Sequence, residues 1–503
     1  MKQTLAFVCA IYAVTSAQSF AQDTAPMSAI DWLSDSVAES EAPDTTTDEP
    51  PVSTGASSPS VTVTPLGETG TLLVGLLPST VTGLPRDLWS HSDPATLIAL
   101  TQAEAMPTLP ALQDLMTTLM MAEVDAPITG ATYDRLFLAR VDKLLDFGAL
   151  EQAQAMLAHA EPESPALFRR WFDIGLLNGS EAAACDHMQS RPSVAPTYPA
   201  RIFCLARAGD WTVAALTLNT HRVLGDVTDE EEQLLSRFLD PDLYEDEPPL
   251  AAPERISPLV FRMREAIGEG LTTQELPLAF AHADLRPTTG WKARLEAAER
   301  LARAGVLDPN TLQDLYTSRT PSASGGVWER VKAFQRFDNA LQNQDNAAIA
   351  QALRPAWDAM IEIRAEVSFA ALYADQLTNF DGLDRGLVSK IKLLSKSYAT
   401  VTQGPDAFIT AIAQGDVPKD PRGLKQRAVN RAFVDPVVPT VLAALLEQGM
   451  MGEALLRAIA TFNAGLNGDP QSVTDALATF QSAGLDDIAR RAALEYLLLD
   501  RAL

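Results

Sequence analysis

Cysteine is scarce, with three in 503 residues, and Cys9 lies in an N-terminal apolar run. That leaves Cys185 and Cys204 as the one pair able to staple the body. Histidine is scarce as well. His91, His159, His187, His221 and His282 are scattered, and none pairs with another at metal-ligand spacing. His187 follows Cys185 by two positions, but no second cysteine motif accompanies it, so no metal site is expected. The acidic run Asp240, Asp242, Glu245, Asp246 and Glu247 lacks the spacing and central glycine of a calcium loop, and reads as solvated. Phosphate-binding glycine loops, a His-Glu-x-x-His helix and a Gly-x-Ser-x-Gly elbow are all missing. Catalytic, cofactor-binding and metal-ligating residues are therefore not assigned, and the chain is read as a non-enzyme. Basic residues are in deficit, 39 against 65 acidic, for a net charge of -26. Phosphate contacts need clustered cations, so a nucleic-acid partner is not expected. After Leu77 the alternation of β-branched residues nearly vanishes, which makes the class all-α.

The most regular stretch lies around Gly148. Before it, Tyr133, Phe137, Val141, Leu144 and Leu145 recur at helical spacing, and after it Ala149, Ala153, Met156, Leu157 and Ala160 do the same. The glycine suits a left-handed turn between two amphipathic helices, and Pro165 blocks further helix. The unit returns: Gly179 is followed by Ala184, Gly209 by Ala214, Gly449 by Ala454 and Gly484 by Ala489. Leu144, Leu205, Leu445 and Phe480 stand four positions before their glycines. Neighbouring glycines are roughly 30 to 35 residues apart, the period of stacked helical hairpins.

A turn glycine, a bulky residue two later and an alanine five later resemble the tetratricopeptide repeat. Gly148, Leu150, Ala153, Ala160 and Pro165 match that pattern; Gly209, Trp211 and Ala214 match its centre; Gly179, Ala184 and Pro196 match another part. The departures are plain. Val141, Phe172, Ile202 or Leu442 stands where a small residue belongs, and Asn310 replaces the alanine after Gly305. The resemblance covers about a third of the chain and implies a right-handed α-solenoid of helical hairpins. The competing reading is a non-repetitive helical domain with ordinary glycine caps.

In chain order, residues 1–21 read as a secretory signal peptide. Lys2 gives the positive end, Leu5 to Val14 an apolar run too short to span a bilayer, and Ser19-Phe20-Ala21 or Thr15-Ser16-Ala17 a small-residue cleavage site. Residues 22–83 read as a disordered acidic linker rich in Pro, Ser and Thr. One island, Ile30 to Val37 with Trp32 and Leu33, interrupts it and reads either as a docking peptide or as leftover sequence beside the cleavage site. Residues 60–77 show strand-like patterns for one β-hairpin or an extended arm. Structure is expected to begin near Leu84. Helical subdomains are expected over 84–240, 254–430 and 431–503, with Val327–Leu353, Pro355–Leu377 and Leu387–Gln403 as longer helices.

Cys185 and Cys204 fall on consecutive predicted helices, and an exported protein would bond them; otherwise they are two thiols buried in a hairpin. Trp171, Trp211, Trp291, Trp328 and Trp357 fall at helical apolar positions and are expected in the core rather than along a sugar groove. Lys390, Lys392, Lys396, Lys419, Arg422, Lys425, Arg427 and Arg431 outnumber nearby acids. They read as a solvated face, or as a patch receiving the acidic linker or an acidic partner. The expected function is a periplasmic scaffold or protein-binding module of the bacterial envelope. Its rival is an enzyme or accessory protein acting on cell-wall glycan, with a lytic-transglycosylase-like superhelix.

Overall fold

A computed structural model describes residues 30, 32–33, 75–103, 109–125, 130–160, 164–404, 406–499 and 501, without the side chains of 130–134. The expected signal peptide, most of the expected linker and the strand-like stretch before Gly75 lie outside the described residues. Among the described residues the protein is all-helical, with 24 α-helices and no strand.

Structure begins before Leu84. Gly75 to Leu77 lie along the end of a helix, where the Leu76 and Leu77 amides donate to Met121 O and the Glu123 amide donates to Leu77 O. These are the last residues of the expected strand-like stretch 60–77, whose earlier part lies outside the described residues. They are followed by α1 (Ser79–Thr82), α2 (Pro94–Ala103) and α3 (Pro110–Met121). Asp93 opens α2 as its sequence suggests, accepting from the Thr96 amide at 2.9 Å.

Glycine-turned hairpins come next: α4 (Gly130–Asp146) with α5 (Leu150–His159), α6 (Pro165–Asn178) with α7 (Glu181–Ser190), and α8 (Tyr198–Arg207) with α9 (Trp211–Leu224). Gly148, Gly179 and Gly209 turn them at φ 77°, 81° and 89°, a region that costs residues with a Cβ dearly. Ala153, Ala184 and Ala214 are buried where the second helix meets the first. A bidentate ion pair joins α4 to α6, with Arg170 Nε and Nη2 donating to Asp142 Oδ1 and Oδ2 at 2.5 and 2.7 Å. Both side chains are buried, so the geometry of the pair offsets the loss of water.

Next are α10 (Asp229–Leu239) and α11 (Pro258–Ala266). Four acidic residues fill the first turn of α10, and Thr228 and Glu231 close a capping box there. A separate core runs from Phe168 to Met263 across this unit. Its spine is a run of rings, Phe168, Phe172, Phe203 and Phe238, with successive centroids 6.2, 6.4 and 5.4 Å apart. Because α11 packs back on α6, this core joins residues on both sides of 241–253, the stretch between the first two expected subdomains.

The middle of the chain holds α12 (Ala281–Leu285), α13 (Trp291–Arg303), α14 (Pro309–Thr317), α15 (Val327–Gln342), α16 (Asn346–Ile363), α17 (Glu366–Leu377) and α18 (Arg385–Leu393). Two expected boundaries are corrected here. Pro355 sits inside α16 instead of starting a helix. The break comes earlier, where Gln344 takes φ 54° and Asp345 caps α16 through the Ala347 and Ala348 amides. That cap fixes the helix start, and proline then costs one internal hydrogen bond. Helix α18 stops at Leu393 instead of reaching Gln403, because Ser395 accepts from the Ser397 amide and donates to Lys392 O.

The last helices are α19 (Ala407–Gln414), α20 (Gly423–Val434), α21 (Thr440–Glu447), α22 (Met451–Leu466), α23 (Pro470–Ser482) and α24 (Asp486–Leu498). Gly449 and Gly484 turn two more hairpins at φ 74° and 78°, with Ala454 and Ala489 buried. The two ends of the body meet. Helix α2 packs on α22 and α3 on α24, so residues from Leu84 to Leu499 belong to one main core. Gly452 lets Trp89 close on α22: a Cβ there would lie 2.2 Å from the indole, and the Gly452 amide donates to Leu88 O at 3.1 Å.

Candidate functional site

Two surfaces of the body stand out, one open and one filled by the chain itself. The open surface is α9. Its inner face buries Ala214 and Leu218 against the Phe168–Met263 core. His221 holds the same helix by stacking on Tyr198, centroids 3.5 Å apart, with Nδ1 2.8 Å from Asp226 Oδ2. Cys185 of α7 and Cys204 of α8 bring their sulfurs to 2.00 Å and their Cα atoms to 5.1 Å, at disulfide distance as expected. The pair ties α7 to α8, the helix on which α9 rests.

The outer face of α9 is apolar too. Val213 is 50% exposed, Leu216 66%, Val223 81% and Leu224 65%. Val213, Leu216, Thr220 and Val223 follow one another by three, four and three positions, a spacing that puts them in one seam along the helix. Trp211, expected in the core, stands half exposed at the first turn of α9. The other four tryptophans expected in the core, Trp171, Trp291, Trp328 and Trp357, are buried or partly buried, Trp291 against Trp328 with centroids 5.2 Å apart. The inner face of α9 is packed while this second apolar side faces water, an exposed stripe of the kind that marks an interaction surface.

The filled surface receives the N-terminal island. Ile30, Trp32 and Leu33 are buried, so this piece of the expected linker belongs to the core of the body. The Trp32 indole meets the Phe280 ring edge-on, with centroids 5.5 Å apart, and Phe280 meets Phe261 of α11 in the same way at 5.6 Å. Arg255 Nη2 donates to the Leu33 carbonyl at 2.5 Å, and the Leu33 amide closes a turn onto Ile30 O at 3.3 Å. The bed under the island is tied to the Gly148 turn. Phe280 ends the 3-10 turn Leu278–Phe280, and the next turn carries His282, whose Nε2 donates to Gly148 O at 2.7 Å. Burial holds the His282 pKa below its ordinary value, which keeps the imidazole neutral in that bond. Arg255 also lines a cavity of about 190 Å³ with Leu234, Val260, Met263, Glu230 and Glu254.

Polar groups buried in the main core are tied to one another. Glu299 accepts from Tyr316 Oη and from two nitrogens of Arg330. Asp338 accepts from Tyr373 Oη, Gln313 and Gln342. A further cavity of about 660 Å³ opens between α14, α17 and α24, with Asp114, Asp308, Asp375, Arg364, Lys396 and Arg491 in its wall. The Asp114–Arg491 ion pair at 2.8 Å forms part of that wall.

The basic residues singled out from the sequence have different neighbours. Lys390 lies over the Trp357 ring of α16, Lys425 donates to Tyr496 O of α24, and Arg431 donates to Gln471 of α23. In the acidic run at 240–247, Glu247 pairs with Arg237 of α10. His187 rests against Phe168 and Trp171, ring centroids 5.6 and 5.8 Å away. Among the described residues no helix is long and apolar enough to cross a membrane.

No family model, no curated protein and no solved structure matches this chain.

Sequence reasoning missed the seam of α9 and the partners of the island. Part of the signal was readable: between Trp211 and Leu224 apolar residues fall on two sides of one helix. Phe280 and Arg255 were not readable, because nothing local links them to Trp32 and Leu33.

Proposed function

We propose that the protein is an exported, periplasmic helical-repeat scaffold of the bacterial envelope, and that α9 is where it receives a partner protein. The seam Val213, Leu216, Thr220 and Val223 carries this reading. Apolar residues at that spacing take up the matching stripe of a second amphipathic helix. The partner is therefore a protein that presents such a helix. The Cys185–Cys204 pair fits an oxidising compartment, and the Lys2 to Ala21 pattern fits export. Glycine turns with an alanine five residues on support a tetratricopeptide-like repeat, a scaffold that presents helix faces for binding.

The test is site-specific photocrosslinking in living cells. A probe at Val223 is expected to give one discrete adduct, which Leu216→Asp removes. A probe at Leu243, 70% exposed on another element, is expected to give none. Equal adducts from both positions, or an adduct indifferent to Leu216→Asp, would refute the assignment. N-terminal sequencing of the exported chain is expected to start near Gln22.

A further inference from the structure

The island Ile30–Leu33 is joined to the body through residues 34–74, a stretch without lysine or arginine and rich in Pro, Ser, Thr, Asp and Glu. On either side of it the sequence is polar or small, yet Ile30, Trp32 and Leu33 are buried as deeply as residues of the helices. Their mode of attachment is that of a bound peptide. One aromatic side chain anchors on a ring of the body, Trp32 on Phe280. A main-chain carbonyl, which every peptide owns, accepts from an arginine of the body, Arg255. Aromatic anchors and main-chain bonds are how grooves take short peptides.

We propose that this seat is a peptide-binding site which the chain fills with its own segment 30–33, and that its external ligand is a short apolar peptide with a tryptophan anchor. The segment acts as an internal competitor. Being tethered, it presents itself at an effective concentration on the order of millimolar, so a free peptide must outcompete it. An empty seat would bare Phe280, now fully buried, which favours exchange of one occupant for another over vacancy. The cavity that Arg255 also lines gives a longer ligand room to continue, among Leu234, Val260 and Met263 and the carboxylates of Glu230 and Glu254. A peptide carrying a basic residue after its apolar anchor would gain from those carboxylates what the acidic segment of this chain lacks. The seat shares no residue with the outer seam of α9, so this site stands or falls apart from the proposed function.

The experiment uses the full chain and a fluorescent synthetic peptide spanning Met27 to Glu39. Trp32→Ala in the protein weakens the internal competitor. The peptide is expected to bind that variant at least about tenfold more tightly than the unmodified chain. Arg255→Ala added to Trp32→Ala is expected to lower the affinity again, and a peptide with alanine in place of its tryptophan is expected not to bind. A second measurement does not depend on any variant folding. Excess peptide added to the unmodified chain is expected to speed hydrogen exchange at 30–33 and leave α5 and α16 unchanged. Equal affinity for the two chains, no binding to a folded Trp32→Ala protein, or exchange at 30–33 that ignores the peptide would each overturn the proposal. A dimer abolished by Trp32→Ala would overturn it as well, by giving the segment to a neighbouring copy.

Discussion

The main-chain amide of Ala111 donates to Glu495 Oε2 at 2.8 Å, across 384 positions of sequence. One hydrogen bond thus joins the first turn of α3 to the last turns of α24. The carboxyl is fully enclosed, with Arg491, Asp114 and Arg501 as its charged neighbours, and burial pushes its pKa up to about 7. The closure of the body is therefore expected to depend on pH.

Glu495 binds its proton more tightly in the folded protein than in the unfolded chain, whose ordinary value is 4.5. Its contribution is fully present below pH 4.5, where both states are protonated, and is lost as pH rises through about 7. The loss amounts to about 3 kcal/mol. Glu495→Gln keeps an acceptor for the Ala111 amide and removes the titration. In urea melts the variant is expected to match the natural protein near pH 4.5 and to be more stable by up to about 3 kcal/mol at pH 8. A difference that stays constant over this range would mean that Glu495 does not titrate there.

Gly148 and Gly209 separate backbone strain from steric clash. Both take positive φ, but a Cβ at Gly209 meets open space, whereas one at Gly148 lies 2.8 Å from Leu278 Cγ. Gly209→Ala is expected to cost about 1–2 kcal/mol through the left-handed backbone alone. Gly148→Ala is expected to cost roughly 1–3 kcal/mol more, because it also pushes against the turn that carries Phe280. Ala153→Leu, at a fully buried crossing, is expected to fall in the same range of about 1–3 kcal/mol. Urea denaturation of the three variants checks the order, and equal costs at the two glycines would contradict it.

The Cys185–Cys204 pair lies wholly within the Phe168–Met263 core. Cys204→Ser is expected to lower the stability of that unit by roughly 2–4 kcal/mol, chiefly by freeing its unfolded chain. Hydrogen exchange is expected to accelerate over α6 to α11 and to stay unchanged over α15 to α17, whose rings belong to the other core. Acceleration spread evenly over the chain would show the two cores to unfold as one.

Local chemistry set down much of this protein in its sequence. Glycine at a turn, alanine five positions on and apolar residues at helical spacing dictate each hairpin, because conformation and side-chain size act within a few residues. The turns at Gly148, Gly179, Gly209, Gly449 and Gly484 and the burial of their alanines were legible for that reason. So was the approach of Cys185 to Cys204, which sit on adjacent helices. Pro355 misled, since an aspartate cap ten residues earlier had already fixed the helix. What the sequence left open is which distant surfaces meet. The bond from Ala111 to Glu495, the fit of Trp89 on Gly452 and the seat of Trp32 on Phe280 each join residues with no pattern in common. Apolar attraction has no direction and favours any partner of suitable shape, so only the assembled body decides which one is reached. The same holds for α9: its sequence has two apolar faces, and only packing determines that Ala214 and Leu218 go inward while Val213, Leu216 and Val223 remain in water.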